Sequence, residues 1–466
     1  MKIVRIIASV ALACLPVVTV FAAEGPGTNS PGIVAGEKMA DASAQNWNWH
    51  VQNTVIVQGY PAIRANYSGP NSLPSGGETR ETVSLDLFGG VRLWRGAEAH
   101  IDGLMWQGFG IANTTGADGF PNGDGARLGS GVPNGTIARL FIRQTFGFGG
   151  EQENFEDDQL TLAGKQDVSR LTLTVGKMSV KDIFDNNAYA NNPRTQFLNW
   201  ALMANEAWDV PADALGYTTG FVAELNQPSW TLRYGFFQMP SLSNGLTPDD
   251  RFLKWPYDSS AQDIPFLRSW GMVAELEHRH TWRGHPGAIR LLAFLNDAHM
   301  GSYQAALDNP TRPADITATR DDRTKYGFGL NLEQEIVKNI GVFSRLGWSD
   351  GQNEGWAFAD VDRTATAGIS IKGGGWRRPE DTFALAGVFN GISKVHQEFL
   401  AAGGTGILAG DGGLNYGWEK ILETYYDFKI WRTLHSSLDY QFISNPAFNQ
   451  DRGPVSVFSA RIHWEF

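Results

Sequence analysis

Val455-Ser456-Val457-Phe458-Ser459-Ala460-Arg461-Ile462-His463-Trp464-Glu465-Phe466 closes the chain, and its alternation decides the fold. Read in steps of two, one face carries Phe458, Ala460, Ile462, Trp464 and Phe466. The other carries Val457, Ser459, Arg461, His463 and Glu465. Successive side chains of a strand point to opposite faces, so this segment shows apolar groups to one medium and charged groups to another. Lipid outside and a wet lumen inside a membrane barrel are two such media. A half-buried edge strand of a soluble sandwich would alternate in the same way, so the rest of the chain has to choose.

The opposite terminus points to export. Lys2 and Arg5 precede an apolar run from Ile6 to Phe21, followed by Ala22 and Ala23. That is the basic, apolar and small-residue order of a secretory signal. Cleavage after Ala22 or Ala23 removes a signal peptide of residues 1–23. Residues 24–45 are then a flexible, polar lead-in to a barrel domain over 46–466. The single cysteine, Cys14, lies inside the apolar run, so the mature chain has no disulfide or thiolate metal site. No metal and no cofactor is expected.

Beyond Phe21 no stretch approaches the ~20 apolar residues that a spanning helix requires. A membrane protein of this hydropathy must be a closed barrel, the other way to pair every backbone group in lipid. Losing Lys2 and Arg5 takes the formal charge from −11 to −13. An acidic chain is a poor partner for nucleic acid, whose phosphates call for clustered Lys and Arg. The 54 glycines and 12% aromatic residues suit strands, turns and aromatic girdles.

Strand-like runs cover about 46–58, 79–94, 97–109, 136–149, 170–178, 213–226, 229–239 and 268–282. They continue over about 286–299, 322–336, 339–349, 361–372, 380–390, 416–431, 433–443 and 454–466. The connections alternate between long and short, as in Arg95-Gly96, Gln227-Pro228 and Val337-Lys338. Sixteen antiparallel strands with long extracellular loops and short periplasmic turns are the bacterial outer-membrane plan; a soluble sandwich has no reason to sort its loops by length. One short position is anomalous, because Glu151–Ser169 is longer than the pattern allows. Strands 4, 5 and 12 alternate less cleanly than the rest, and bulges are expected there.

Sixteen strands leave an aqueous channel, and the lead-in is too short to form a folded plug. The lumen face carries both signs: Arg233, Glu275, Glu277, Arg279, Arg290, Glu333, Arg345, Glu423, Asp427, Lys429, Asp439, Arg461 and Glu465. Most are expected to be solvated wall charges. The connection 179–212 is long and aromatic, which makes it costly to leave in water, so it is expected to fold into the barrel and narrow it. A short helix is expected after Pro193. Asp182, Asp185 and Arg194 are candidates to hydrogen-bond sugar hydroxyls, and Phe184, Tyr189 and Trp200 to offer ring faces to sugar C–H surfaces. The alternative role for these rings is to anchor the loop, the role expected of Phe197 and Leu198. The composition of the 110–135 loop leaves its direction open.

Five stretches resemble the carbohydrate-selective porins of the OprB type. They are Tyr67-Ser68-Gly69-Pro70-Asn71-Ser72-Leu73, Gly90–Glu98, Ala138–Gly147, Gly176–Trp200 and Asn445–Pro454. The resemblance extends from about Gln45 to Phe466. It implies a Gram-negative outer-membrane porin passing glucose and other small saccharides by diffusion through an arginine- and acid-lined eyelet. It places Asp185 and Arg194 in that eyelet, with Arg139 and Arg143 as wall arginines near it. The implied surroundings are outer-membrane lipid and lipopolysaccharide. The terminal Phe466 resembles the signal read by the barrel-assembly machinery. Monomer and homotrimer both stay open.

Other readings start from other residues. Arginines gathered at one constriction would favour a general or organic-anion porin. An outer-membrane barrel enzyme would need a catalytic set, and none stands out. His278 and His280 share a strand face on the lipid side without a third ligand. Asn122-Gly123-Asp124-Gly125 and Asp411-Gly412-Gly413 read as ordinary turns.

Overall fold

The structure is a computed structural model that describes residues 44–125, 129–245, 254–255, 268–358 and 360–466. The expected signal peptide and all but the last two residues of the lead-in lie outside the described residues. The sixteen expected strands all form. The first eight are β1 (Trp47–Tyr60), β2 (Glu78–Trp94), β3 (Ala97–Gly108), β4 (Ser130–Gly147), β5 (Arg170–Met178), β6 (Thr218–Asn226), β7 (Trp230–Gln238) and β8 (Trp270–Trp282). The second eight are β9 (His285–Met300), β10 (Asp321–Val337), β11 (Ile340–Ser349), β12 (Arg363–Lys372), β13 (Thr382–Gly391), β14 (Glu419–Trp431), β15 (Leu434–Ser444) and β16 (Val455–Glu465).

Each strand pairs antiparallel with the next, and β16 returns to pair with β1 from Gln52↔Glu465 to Gly59↔Phe458. Closure gives each of these sixteen strands a partner on both sides, which is what the hydrocarbon region demands. The C-terminal strand sorts its faces as its alternation predicts: Phe458 is 58% exposed to the outside, whereas inward-facing Arg461 is 1% exposed. Leu438 sits midway along β15 and is likewise exposed on the outer face. Replacing it with Arg (Leu438→Arg) puts a charge toward lipid and is expected to cost roughly 2–4 kcal/mol. Urea unfolding in lipid vesicles, followed by the loss of heat-modifiable migration, measures that cost.

Strand 4 carries the expected irregularity. Across β3 and β4, Asp102 faces Arg139 and Gly103 faces Ile137, so Ala138 is an extra, unpaired residue. This bulge changes the inside–outside parity of the strand. Thr136 and Ala138 are buried before it; after it Leu140 and Ile142 face outward, and Arg139 and Arg143 therefore point into the lumen. Strands 5 and 12 pair without a register shift, so the bulges expected there do not form. β6 begins at Thr218 rather than near 213, because the residues before it belong to a loop that lies inside the barrel.

Among the described residues three short α-helices belong to the loops: α1 (Trp200–Met203), α2 (Tyr303–Asp308) and α3 (Lys394–Ala401). The last two close together above the lumen, where the Tyr303 ring stacks on His396 at 4.1 Å. His396 also lies 3.2 Å from Asp362, which accepts from the Ser393 backbone N–H. Burial alone would raise the Asp362 carboxyl, but His396 outweighs it and holds the group below the usual carboxylate range.

Candidate functional site

Residues 179–217, between β5 and β6, run through the barrel interior, and most of their side chains are buried. Such a loop needs partners for its backbone polar groups, and wall side chains supply them. Glu275 on β8 accepts from the Asp185 backbone N–H at 2.7 Å, and Glu333 on β10 accepts from that of Ala188 at 2.7 Å. Glu423 on β14 accepts from both Leu198 and Asn199. On the donor side, Arg461 reaches the carbonyls of Pro193 and Gln196. These are not free wall charges bathed in the channel, as the sequence suggested. They staple the loop.

Asp185 is the centre of this attachment and is 2% exposed. It accepts from Arg345 at 3.0 Å, Asn331 at 2.7 Å, Lys181 at 2.9 Å and the Asn205 backbone at 2.9 Å. Arg345 also donates to the carbonyls of Asp185, Ala190 and Leu202, so one buried guanidinium ties three parts of the loop to β11. Burial opposes the charged form of Asp185, but Arg345 and Lys181 prevail and hold its carboxyl well below the usual range.

Most of the candidate sugar platforms lie against protein. The Trp200 ring is sandwiched between Phe120 at 5.5 Å and Phe358 at 5.0 Å. Phe184 is fully buried, edge-on to Phe237 at 6.1 Å. Phe197 meets Tyr425 edge-on at 5.0 Å, the anchoring role expected of it. Tyr189, only partly buried, lies on β11 over Gly341, where an added Cβ would come within 1.9 Å of the ring. The expected helix after Pro193 is the single turn α1, capped by the Asn199 side chain.

A second set of residues keeps some solvent access. Arg139, its side chain 14% exposed, holds Asp182 through two parallel bonds of 2.8 and 2.7 Å and Asp102 through a third of 2.6 Å. Arg194, 13% exposed, reaches Asp86 on β2 at 2.7 Å and Asp124 at 2.6 Å. Burial works against the Arg194 charge, but Asp124 and Asp86 hold it firmly protonated. Arg143 pairs with Glu98, its cross-strand neighbour, at 3.0 Å. Beside Arg194 the loop presents Asn186, Asn191, Asn192 and Gln196 at least partly exposed.

Asp124 arrives on the loop between β3 and β4, whose direction the sequence left open. It folds inward: Trp200 donates its backbone N–H to the Phe120 carbonyl and Gly123 donates to that of Leu198. Sequence reasoning missed Asp86, Asp102 and Asp124. The first two carried a signal, since alternation against outward-facing Leu85 and Leu87 on β2, and Ile101 on β3, places them in the lumen. A further network on β6–β10 joins Arg233, Arg279 and Arg290 to Glu224, Glu277 and the loop-holding Glu275 and Glu333. His278 is exposed on the outer face and stacks with His280 at 6.1 Å. Among the described residues no group of three His, Cys, Asp or Glu is placed to hold a metal.

Residues 71–466 match the carbohydrate-selective porin, OprB family. The chain belongs to this family. Among solved structures it is similar to the high-pH structure of Pseudomonas putida OprB, with a TM-score of 0.67 and 15% identity over 90% of this chain and 94% of that one. It is more distantly similar to Pseudomonas aeruginosa OccK2 (OpdF) in complex with glucuronate, with a TM-score of 0.42, 12% identity and coverage of 91% and 99%. No curated protein sequence matches. Family and closed barrel together make this OprB-family chain an outer-membrane porin of Gram-negative type, a channel for small solutes.

Proposed function

We propose that this porin passes glucose and other small saccharides by passive diffusion, and that its selectivity lies where the inward loop meets β2–β4. In this reading Arg139, Arg194 and Asp182, with the neighbouring Asn and Gln side chains, meet the solute. Asp185, Phe184 and Trp200 position the loop, and Tyr189 borders it. Phe466 is the proposed signal to the assembly machinery.

The observation that carries the reading is the pairing of the arginines. Arg139 is matched by Asp102 and Asp182, and Arg194 by Asp86 and Asp124. A guanidinium already bridging two carboxylates keeps its geometry and offers little net positive charge. Fixed donors and acceptors with no surplus of positive charge suit a neutral polyhydroxyl solute, which bonds through both. An organic-anion channel would instead need arginines left unmatched. In liposome-swelling assays glucose is expected to enter faster than gluconate, which has the same carbon chain and a negative charge. Faster entry of gluconate would overturn the saccharide reading in favour of the anion one.

A further inference from the structure

The anomalous turn between β4 and β5 offers the next step. Its arms, Gln152–Phe155 and Gly164–Asp167, pair as a small hairpin, yet its tip does not extend into the periplasm. Asn48 on β1 donates one side-chain amide to the Asp157 carboxylate at 2.8 Å and to the carbonyls of Asp158 and Thr161. His50 lies 3.1 Å from the same Asp157 carboxylate. Arg143 of β4 donates to the Leu160 carbonyl at 2.9 Å, and Gln159 donates to Gln52 at 3.0 Å. All of these anchors share the lumen parity of their strands. Leu160 then packs against the buried cluster containing Val180, Ile183 and Phe184, the foot of the inward loop. Ala163 and Gln45 complete the attachment with reciprocal bonds of 3.0 and 2.8 Å.

We propose that residues 156–163 form a second constriction at the periplasmic mouth, whose acidic tip disfavours anions leaving or entering from that side. The tip reads Glu156-Asp157-Asp158, and all three residues remain exposed while the segments flanking them are tied to the wall. Arg143 links the two constrictions: it lies one lumen-facing step beyond Phe141 from Arg139 on the same strand, and it carries the tip. A solute clearing the eyelet therefore meets a second ring of fixed polar groups before it exits. The inference rests on the channel reading and is independent of which solute passes.

Planar-bilayer recording in potassium chloride tests it without any sugar. Replacing 156–163 with a two-residue turn that keeps the hairpin arms is expected to raise single-channel conductance. The paired changes Glu156→Gln and Asp158→Asn, which leave the Asn48–Asp157 bond in place, are expected to keep conductance and shift the reversal potential toward anions. Unchanged conductance on shortening overturns the constriction, and an unchanged reversal potential overturns its charge selectivity. Should the shortened chain fail to fold, as judged by heat-modifiable migration, the paired changes Asn48→Ala and His50→Ala loosen the tip by removing its bonds to β1 at Asp157, Asp158 and Thr161 with every backbone atom retained. They are expected to raise conductance or open-channel noise, and a trace identical to the parent's then counts against the proposal. Because sugar is absent, a failure here is distinct from a failure of the saccharide reading, which swelling assays report.

Discussion

Arg345→Met is expected to free the inward loop while leaving the barrel folded. The Arg345 side chain is fully buried and makes four bonds, to the Asp185 carboxylate and to three loop carbonyls. Removing one partner of a buried pair costs up to roughly 3–5 kcal/mol, and here less, because Lys181 still pairs with the Asp185 carboxylate. That penalty falls on the loop, since the strand pairing of β11 with β10 and β12 runs through the backbone. The expected readout is higher, noisier conductance with unchanged heat-modifiable migration. The pH dependence has a definite sign. In the parent protein the Asp185 carboxyl is held below its ordinary value, so its contribution is present above roughly pH 3.9 and is lost only as pH falls through the lower folded value. Conductance should therefore be steady on mild acidification. In Arg345→Met Lys181 and the Asn205 N–H are left to oppose burial, so the carboxyl takes up its proton at a higher pH than in the parent, and acidification should change the variant's conductance before the parent's. A variant as quiet as the parent at neutral pH would show that Arg345 does not hold the loop.

The barrel was legible from the sequence because lipid enforces a rule on every strand. A charge facing hydrocarbon costs kilocalories, so Leu232 and Tyr234 or Phe328 and Leu330 had to fall on one parity, and the register followed from it. The interior was less legible because nothing comparable sorts it. A lumen carboxylate can be solvated, can pair with a neighbour or can cap a loop backbone, and strand parity is the same in all three cases. Glu275, Glu333 and Glu423 read as wall charges and turned out to bind backbone N–H groups of the loop. Phe184 and Trp200 read as possible sugar platforms, but aromatic rings on an inward loop also serve as its contact with the wall, and here they do. Arg139 was reachable only through the family resemblance, since the bulge at Ala138 breaks the parity that would have aimed it inward. The periplasmic hairpin showed itself through length alone. Where its tip goes depends on Asn48 and Arg143, about 110 and 17 residues away from their partners in sequence.

Changes on the two sides of the arginine–carboxylate set should move selectivity in opposite directions. Arg194→Ala leaves Asp86 and Asp124 facing each other without their shared cation, so the local field becomes more negative. Cation preference should rise, and sugar blockade should weaken by the value of one charge-assisted hydrogen bond, about 1.5–3 kcal/mol. That corresponds to roughly 10- to 100-fold in the blocking constant. Asp182→Asn does the converse: Arg139 loses the two parallel carboxylate bonds that fix its plane and keeps only Asp102. Its guanidinium is then less neutralised, and the reversal potential should move toward anions. Arg139→Lys separates charge from geometry, because lysine keeps the positive charge but cannot make the two-pronged contact with Asp182. If orientation matters for sugars, Arg139→Lys weakens blockade with little change in reversal potential. If the site acts only through its net charge, Arg139→Lys behaves like the parent, and the eyelet is an electrostatic filter without a saccharide-fitted face. Unchanged reversal potentials for both Arg194→Ala and Asp182→Asn would show that neither residue borders the path of the ions.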